Sequence, residues 1–261
     1  MSYRARIQYA GAIVHVTARG CEFGSDRDRD VFIATLSATC AAMGWRCLAF
    51  CLMANHYHLL LIVSEPNLSE GMQLLNGTYA KRFNAAHDRK GHVFESRFRS
   101  THVRTDRHLR CSLRYIVLNP VGAGLTSTPA DWPWSSYAAT SGLAAAPPWL
   151  DVDAVLGLFG TDPDDARAEY RRFVCARLTL ATADGLVPLT EIIDGAPESV
   201  LEARRDHRYT QRQIADHLGV SQATVSRLLR GHGESEESDS VYAAGAVQGS
   251  GSGSVSSWNQ G

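Results

Sequence analysis

The feature that most constrains the fold is the apolar stretch from Cys47 to Val63, which reads CLAFCLMANHYHLLLIV. It predicts two buried strands joined by a tight turn at residues 53–55. Because side chains on a strand alternate between faces, His56 and His58 share one face and Tyr57 lies on the other. Two imidazoles on one face are a candidate pair of metal ligands, although one bonded and one solvated histidine would give the same pattern.

The segments around this pair predict the element order β-α-β-β-α-β. The other elements are a strand at Ala12–Ala18, a helix at Asp28–Met43, a helix from Ser69 to about His87, and an extended segment at Gly91–Val103. This order fits a ferredoxin-like split βαβ arrangement, an α+β fold in which helices pack on an antiparallel sheet. The histidine pair would then lie on a central strand, on a face that the next segment could cover.

That next segment is predicted to be a helix over Asp106–Asn119, with Asp106 as its N-cap and Pro120 ending it. Its apolar stripe consists of Leu109, Leu113 and Ile116. Tyr115 and Asn119 lie four residues apart beside this stripe, so a phenol and an amide project together. Together with the two histidines they would form a small metal site with a nucleophile. A buried tyrosine with a bonded hydroxyl is the alternative interpretation of Tyr115.

Charge is unevenly distributed along a chain whose formal net charge is −1. Residues 81–114 contain ten Lys or Arg and three Asp or Glu. A segment this basic in a nearly neutral protein indicates a polyanion-binding face, although an ordinary solvated surface could have the same composition. The six cysteines are scattered without a CxxC pair, and no apolar run could span a bilayer. We therefore expect a soluble, cytoplasmic protein with reduced thiols and no membrane contact.

Three further parts are predicted after a first domain at residues 1–125. Residues 126–187 should form a connector with short helices, whose tryptophans pack on the first domain. Residues 188–231 should contain a helix-turn-helix, and residues 232–261 a disordered tail rich in Ser, Gly and Glu.

The helix-turn-helix prediction depends on the pattern YTQRQIADHLGVSQATVSRLLR over residues 209–230. Thr210 and Gln213 form a capping box, Gly219 permits the turn, and Val220 is expected to pack inward. The side chains of the second helix that are suited to a major groove include Gln222, Thr224 and Arg227. The alternative is an ordinary helical hairpin, since similar three-helix units also bind proteins.

Three motifs together resemble one family: TARG at residues 17–20, MANHYHLLL at 53–61 and RYIVLNPVGAGL at 114–125. They resemble the single-tyrosine HUH transposases of small bacterial insertion sequences, and most closely the REP-associated tyrosine transposases. The resemblance implies cleavage and rejoining of single-stranded DNA at palindromic, hairpin-forming repeats. It covers roughly residues 1–140, and the helix-turn-helix is not a general feature of the family.

The resemblance also implies a role for each residue of the motifs. Tyr115 would be the nucleophile that forms a phosphotyrosine, His56 and His58 would be metal ligands, and Asn119 would be a third ligand. Two imidazoles and one amide leave positions open for phosphate and water, which suits Mg²⁺ or Mn²⁺. The basic side chains expected to contact DNA phosphates are Lys81, Arg82, Arg97, Arg99 and Arg104.

The sequence departs from the family pattern in two places. Ala54 replaces a proline that is usual before the Asn-His pair, and Gly122 stands where an arginine is common. If the arginine usual at the second position touches DNA or stabilises the site, DNA affinity or activity would be reduced here. A second interpretation of the chain is a domesticated DNA-binding protein or repressor, in which the helix-turn-helix acts and the HUH domain is inactive. A replication or conjugation nickase is a third interpretation. DNA is the expected partner in each case, bound by a monomer or a homodimer.

Overall fold

A four-stranded antiparallel sheet forms the centre of the computed structural model, which describes residues 9–179, 193, 200, 203, 204 and 209–231. Its strands are β1 (Ala12–Arg19), β2 (Arg46–Leu52), β3 (His56–Val63) and β4 (Arg99–Val103). Three helices pack with it: α1 (Asp26–Met43), α2 (Leu68–Ala86) and α3 (Asp106–Gly122). The strand order is β2-β3-β1-β4, so each β-α-β crossover spans one intervening strand. The predicted α+β fold, a ferredoxin-like split βαβ sheet, is confirmed.

The extended segment predicted at residues 91–103 is a strand only from Arg99 onward. The preceding residues form an irregular loop that passes close to Gly20. In this loop the Glu95 backbone N–H donates to the Arg19 carbonyl at 3.1 Å. Within this region Phe98 is buried and Phe94 packs against the core, so both rings contribute to the core.

The two faces of the sheet are covered by different helices. Tyr57 points towards α1 and α2, where its ring lies 4.7 Å from that of Phe32 and its hydroxyl donates to Asn76 Oδ1 at 2.6 Å. Helix α3 packs on the opposite face, against β2 and β3. We call this second face the histidine face; it carries His15, Thr17 and Arg19 of β1, His56 and His58 of β3, and Arg99 and Thr101 of β4.

The starts of two helices differ from the prediction. Thr105, not Asp106, caps α3, and its hydroxyl accepts from the His108 backbone N–H. Helix α1 begins two residues earlier than predicted, because Ser25 and Asp28 form a capping box. In both cases a hydroxyl satisfies an N–H group that the first helical turn leaves without an intrahelical partner.

Pro120 does not end α3 at Asn119, and that part of the prediction was wrong. The helix continues to Gly122, because a proline in the last turn removes only the bond of its own missing N–H. The chain leaves the helix at Gly124, whose φ of +70° is a left-handed conformation. There the Leu125 N–H donates to the Pro120 carbonyl at 2.9 Å, which gives a Schellman ending.

Residues 126–179 extend the core beyond the sheet domain. They contain a 3₁₀ turn (Pro129–Asp131) and the helices α4 (Tyr137–Thr140), α5 (Val152–Leu156) and α6 (Pro163–Thr179). Backbone bonds from this segment reach the outer edge of β2, including Ser136 N–H to the Phe50 carbonyl at 3.0 Å. Trp132 Nε1 donates to the Leu52 carbonyl at 3.0 Å, and the Trp149 ring lies 5.3 Å from that of Phe50. The tryptophans therefore pack on the first domain as predicted, and an edge strand is covered.

The predicted helix-turn-helix is present as α7 (Gln211–Leu218) and α8 (Gln222–Gly231). Thr210 and Gln213 form the expected capping box, and Gly219 has a φ of +64°. The expectation for Val220 was wrong: its side chain is 39% exposed, because the buried cluster is closed by Ile214, Val225 and Leu229. The predicted disordered tail lies outside the described residues. No helix in the described part of the chain is long and apolar enough to cross a membrane.

Asp28 gives the fold a pH-dependent contribution. Burial alone would raise the pKa of its carboxyl, but hydrogen bonds from His87 and Ser25 and the charge of His87 lower that pKa below its ordinary value. A lowered pKa means that ionised Asp28 stabilises the fold above its unfolded pKa of about 3.9, and that this contribution disappears as pH falls through the lower, folded value. We expect Asp28→Asn to reduce the free energy of unfolding by about 1 kcal/mol at neutral pH. Urea titrations should show that the difference in free energy of unfolding between the wild type and Asp28→Asn becomes smaller below about pH 4. A difference that does not change with pH would contradict the stabilising role of ionised Asp28.

Candidate functional site

The predicted histidine pair lies at the start of β3, on the histidine face. The rings of His56 and His58 have centroids 5.1 Å apart at an angle of 81°. His58 is buried, whereas His56 is half-buried and its Nδ1 lies 2.9 Å from Asn55 Oδ1. The turn at residues 53–55 is held against β1, because Asn55 O accepts from Gly20 N–H at 2.9 Å. The TARG motif therefore supports the turn that introduces the two histidines.

Helix α3 places Tyr115 directly against His58 of this pair. The Tyr115 ring is half-buried and meets the His58 ring edge-on, at a centroid distance of 5.4 Å and an angle of 89°. The apolar stripe of α3 is buried as predicted (Leu109, Leu113 and Ile116). Tyr115 therefore lies beside the stripe, at the surface between helix and sheet.

Asn119 follows one turn later on the same side of α3. Its Nδ2 lies 3.5 Å from the Tyr115 carbonyl, and this long contact does not use Oδ1, the atom that would bind a metal ion. The tyrosine adjacent to the histidines in sequence, Tyr57, points away from them. Burial raises the pKa of Tyr57 far above its ordinary value, so Tyr57 is unsuited to act as a nucleophile.

Sequence reasoning missed His15, which joins the site from β1. Its Nε2 lies 3.0 Å from His58 Nδ1, and its ring centroid is 5.9 Å from that of Tyr115. His15 is only 2% exposed. The available signal was the alternation in AIVHVTAR, which places His15, Thr17 and Arg19 together on one face of an otherwise apolar strand.

The donor set can be tested against a divalent metal. Among the residues that the structure describes, no three His, Cys, Asp or Glu side chains are arranged to hold one ion. The two histidines therefore need a further ligand of another type, such as the Asn119 amide, together with phosphate and water oxygens. Two imidazoles with oxygen ligands fit Mn²⁺ or Mg²⁺, so the residues present are compatible with the predicted cofactor.

The predicted DNA-binding residues of the sheet domain are divided between two surfaces. Lys81 and Arg82 lie on α2, on the side of the sheet away from the histidines, and Arg82 donates to Thr35 on α1. Arg99 lies on the histidine face, directly opposite Thr17 on the adjacent strand. Arg97 and Arg104 are exposed at the two ends of β4. Of these residues, Arg97 and Arg99 lie at the end of β4 that is beside the histidines, whereas Arg104 follows the opposite end, where Val103 pairs with Ile13.

Arg19 is a basic residue that sequence reasoning did not single out. It is exposed and pairs directly with His56 across β1 and β3. Two arginines of the predicted basic segment have a structural role instead: Arg114 is buried over the Phe173 ring at 4.5 Å, and Arg110 donates to the Leu158 carbonyl. Burial lowers the pKa of the Arg114 guanidinium, but an arginine remains charged at neutral pH.

The C-terminal helices also reach Tyr115. Tyr115 is half-buried against a second apolar cluster, formed by Val200, Ala203, Tyr209, Ile214, Ala215, Val225 and Leu229. The candidate nucleophile therefore contacts both the sheet domain and the helix-turn-helix unit. On α8, Gln222 and Arg227 are exposed and Thr224 is half-buried, with Arg227 donating to Thr224 Oγ1 at 3.3 Å. The predicted exposure therefore holds for Gln222 and Arg227, whereas Thr224 is partly covered.

Comparison with known proteins finds separate matches for the sheet domain and for the helix-turn-helix unit. Residues 9–119 match the family model described as transposase IS200 like, and residues 198–231 match that of sigma-70 region 4. A REP-associated tyrosine transposase of Haemophilus influenzae is 26% identical over 117 residues, which cover 41% of this chain and 66% of that protein. The chain thus spans just under two thirds of the length of this relative.

A solved structure of a REP-associated tyrosine transposase bound to a REP hairpin is also similar to this chain. It has 18% sequence identity and a TM-score of 0.48, and the match covers 58% of this chain and 92% of that one. The family match includes all three elements of the site, because β1, β3 and most of α3 fall within it. Residues 9–119 are therefore similar to the IS200-like transposases, and among these to a REP-associated tyrosine transposase.

Proposed function

We propose that this protein cleaves and rejoins single-stranded DNA at palindromic hairpin repeats, through a covalent bond between Tyr115 and a DNA phosphate. The observation that carries the proposal is the edge-on packing of Tyr115 against His58, with His56 on the same face of β3. A candidate nucleophile and two candidate metal ligands share this surface, within residues that match the model of a transposase family.

The chemistry follows from the groups present. A phenol has an ordinary pKa of about 10 and is a weak nucleophile at neutral pH. A divalent ion bound by His56, His58 and Asn119 would supply charge neutralisation at the scissile phosphate. Tyr115 Oη gives up its proton to water and attacks phosphorus, the phosphorus–oxygen bond to the leaving deoxyribose breaks, and the leaving oxygen takes up a proton from water. The new phosphotyrosine retains a phosphodiester bond, so attack by a DNA hydroxyl reverses the step without ATP.

DNA would approach along the open part of the histidine face. Arg19 and Arg99 flank the histidines at the ends of their strands, and Arg97 and Arg104 are exposed beside β4. Guanidinium groups here would bind phosphates and give an affinity that falls as salt concentration rises. Lys81 and Arg82 lie on the opposite side of the sheet, so they would contact phosphates only if the DNA wraps around the domain.

The test is incubation of the full chain with end-labelled single-stranded DNA that carries a palindromic repeat, in Mn²⁺ or in EDTA. The expected result on a denaturing gel is a protein–DNA band that forms in Mn²⁺, is absent in EDTA and disappears on protease treatment. Hairpin binding in a native gel without any such band would contradict the proposal. It would favour a domesticated DNA-binding protein instead.

The exposed face of α8 supports that second candidate, a regulator that binds duplex DNA. Gln222 and Arg227 have the donor and acceptor groups that read base edges in a major groove. This activity needs no metal ion and no nucleophile. Both activities are compatible in one chain, since they use different surfaces.

We expect the double change Gln222→Ala and Arg227→Ala to weaken specific duplex binding by about 10- to 1,000-fold, as contacts to bases are lost. Fluorescence anisotropy with duplex selected from random sequence would measure the effect. Arg89→Ala removes the same charge from the far side of the first domain, where Arg89 pairs with Glu22, and serves as the control. Equal affinities of the double variant and the control would exclude α8 as the reading helix.

A further inference from the structure

We propose that His15 is a positioning residue that fixes the ring of His58 and determines which of its nitrogens faces a metal ion. This inference rests on the proposed metal site. His15 lies outside the two-histidine motif, and its part in the site is apparent only from the pairing of β1 with β3.

The contact is built into the sheet. Thr17 pairs with His58 and His15 pairs with Leu60, so His15 is the diagonal neighbour of His58 on the same face. Its Nε2 lies 3.0 Å from His58 Nδ1, and the two rings are stacked at 5.2 Å with an angle of 29°. His15 is 2% and His58 4% exposed, so the pair is removed from solvent that could compete for the bond.

A hydrogen bond between two neutral imidazoles needs one donor and one acceptor. If His58 donates from Nδ1, its Nε2 carries a lone pair that can bind a metal ion. If His15 donates instead, neutral His58 holds its proton on Nε2 and has no lone pair there. Metal binding therefore requires His58 as donor and His15 Nε2 as acceptor. Metal-binding histidines usually donate their second N–H to a carboxylate or carbonyl, and here a histidine takes that place.

The same contact restrains the nucleophile. Tyr115 meets both rings edge-on, at 5.4 Å from His58 and 5.9 Å from His15, so the stacked histidines form one wall against its ring. His15 is not itself a third ligand, because within the described residues no three His, Cys, Asp or Glu side chains can share one ion. Its Nε2 is also already used in the bond to His58.

The first measurement is the tautomer of His58 in the full chain without metal. Long-range ¹H–¹⁵N NMR spectra of the imidazoles at about pH 8, where a histidine of ordinary pKa about 6.5 is neutral, distinguish the two protonated nitrogens. We expect the proton of His58 on Nδ1 in the wild-type protein. A proton on Nε2 would overturn the proposal, and this measurement needs neither DNA nor catalytic activity.

The second measurement is Mn²⁺ affinity, followed by electron paramagnetic resonance of the free ion. We expect His15→Leu to weaken Mn²⁺ binding by roughly 10- to 100-fold, because leucine occupies the buried position but has no acceptor atom. His15→Gln restores an acceptor oxygen and should stay within about fivefold of wild type. His102→Leu is the matched control, because His102 lies on the adjacent β4 but on the other face, stacked on Tyr9.

The outcomes separate the positioning role from the proposed function. Equal Mn²⁺ affinities of folded His15→Leu and wild type would overturn the role of His15 while leaving the metal site intact. If His15→Leu does not fold, His15→Gln provides the test. A loss of Mn²⁺ affinity in His15→Gln as large as that expected for His15→Leu would contradict the role of His15 as acceptor. A wild-type protein that binds no Mn²⁺ would contradict the metal site itself, and the role of His15 with it.

Discussion

Replacing Tyr115 with phenylalanine should abolish the covalent protein–DNA product and strand cleavage, a loss of about a thousandfold or more. The change removes the one atom that would bond to phosphorus. The ring remains, so the edge-on packing against His15 and His58 and the contact with the C-terminal cluster should persist. We therefore expect hairpin affinity within about twofold of wild type, because DNA phosphates are bound by other groups.

Tyr9→Phe is the matched control for this experiment. Tyr9 is 48% exposed and stacks on His102, a residue of β4 on the face of the sheet opposite to the histidine face, so its hydroxyl should not affect cleavage. Denaturing gels report the covalent product, and native gels report hairpin binding. Undiminished cleavage by Tyr115→Phe would show that another group is the nucleophile. Loss of hairpin binding together with cleavage would assign Tyr115 to DNA binding instead.

The second large effect is expected for His56→Ala. His56 is half-buried at the first position of β3, so truncation removes little of the core, whereas His58 is buried against two other rings. Loss of one of two imidazole ligands should weaken Mn²⁺ binding and lower the rate of cleavage, each by on the order of 100-fold or more. Raising the Mn²⁺ concentration should recover part of the activity, because the remaining ligands still bind the ion weakly.

His92→Ala serves as the control, since His92 is exposed in the loop before β4. Cleavage rates measured over a range of Mn²⁺ concentrations would separate weaker metal binding from slower chemistry. An unchanged Mn²⁺ dependence in His56→Ala would remove His56 from the metal site. Hairpin binding in EDTA should be equal for wild type and both variants.

Local periodicity was enough to place the main elements of the site. Two-residue alternation in CLAFCLMANHYHLLLIV predicted that His56 and His58 share a face and that Tyr57 does not, and the structure has this arrangement. Four-residue spacing placed Tyr115 and Asn119 on the same side of α3. Both patterns follow from backbone geometry within one element, so a sequence contains them directly.

Errors arose where two local signals compete. Pro120 predicted the end of α3, but the left-handed Gly124 and its Schellman bonds stabilise a further turn. Thr105 and Asp106 are both good caps, and only the path of the chain out of β4 selects the first. Val220 was placed in the core by its apolar side chain, although the core was already filled by residues of the two flanking helices.

What the sequence by itself determined is the set of elements, their order, and the family that residues 9–119 resemble. Only the tertiary structure decided which side chains meet between elements. His15 and His58 are 43 residues apart, and their contact depends on the register of β1 against β3, which no local period encodes. The division of the basic residues was decided in the same way, since Arg99 shares the histidine face, Lys81 lies behind the sheet and Arg114 is buried against α6. Such contacts depend on how faces are paired across the sheet, and they become visible only when the whole chain is folded.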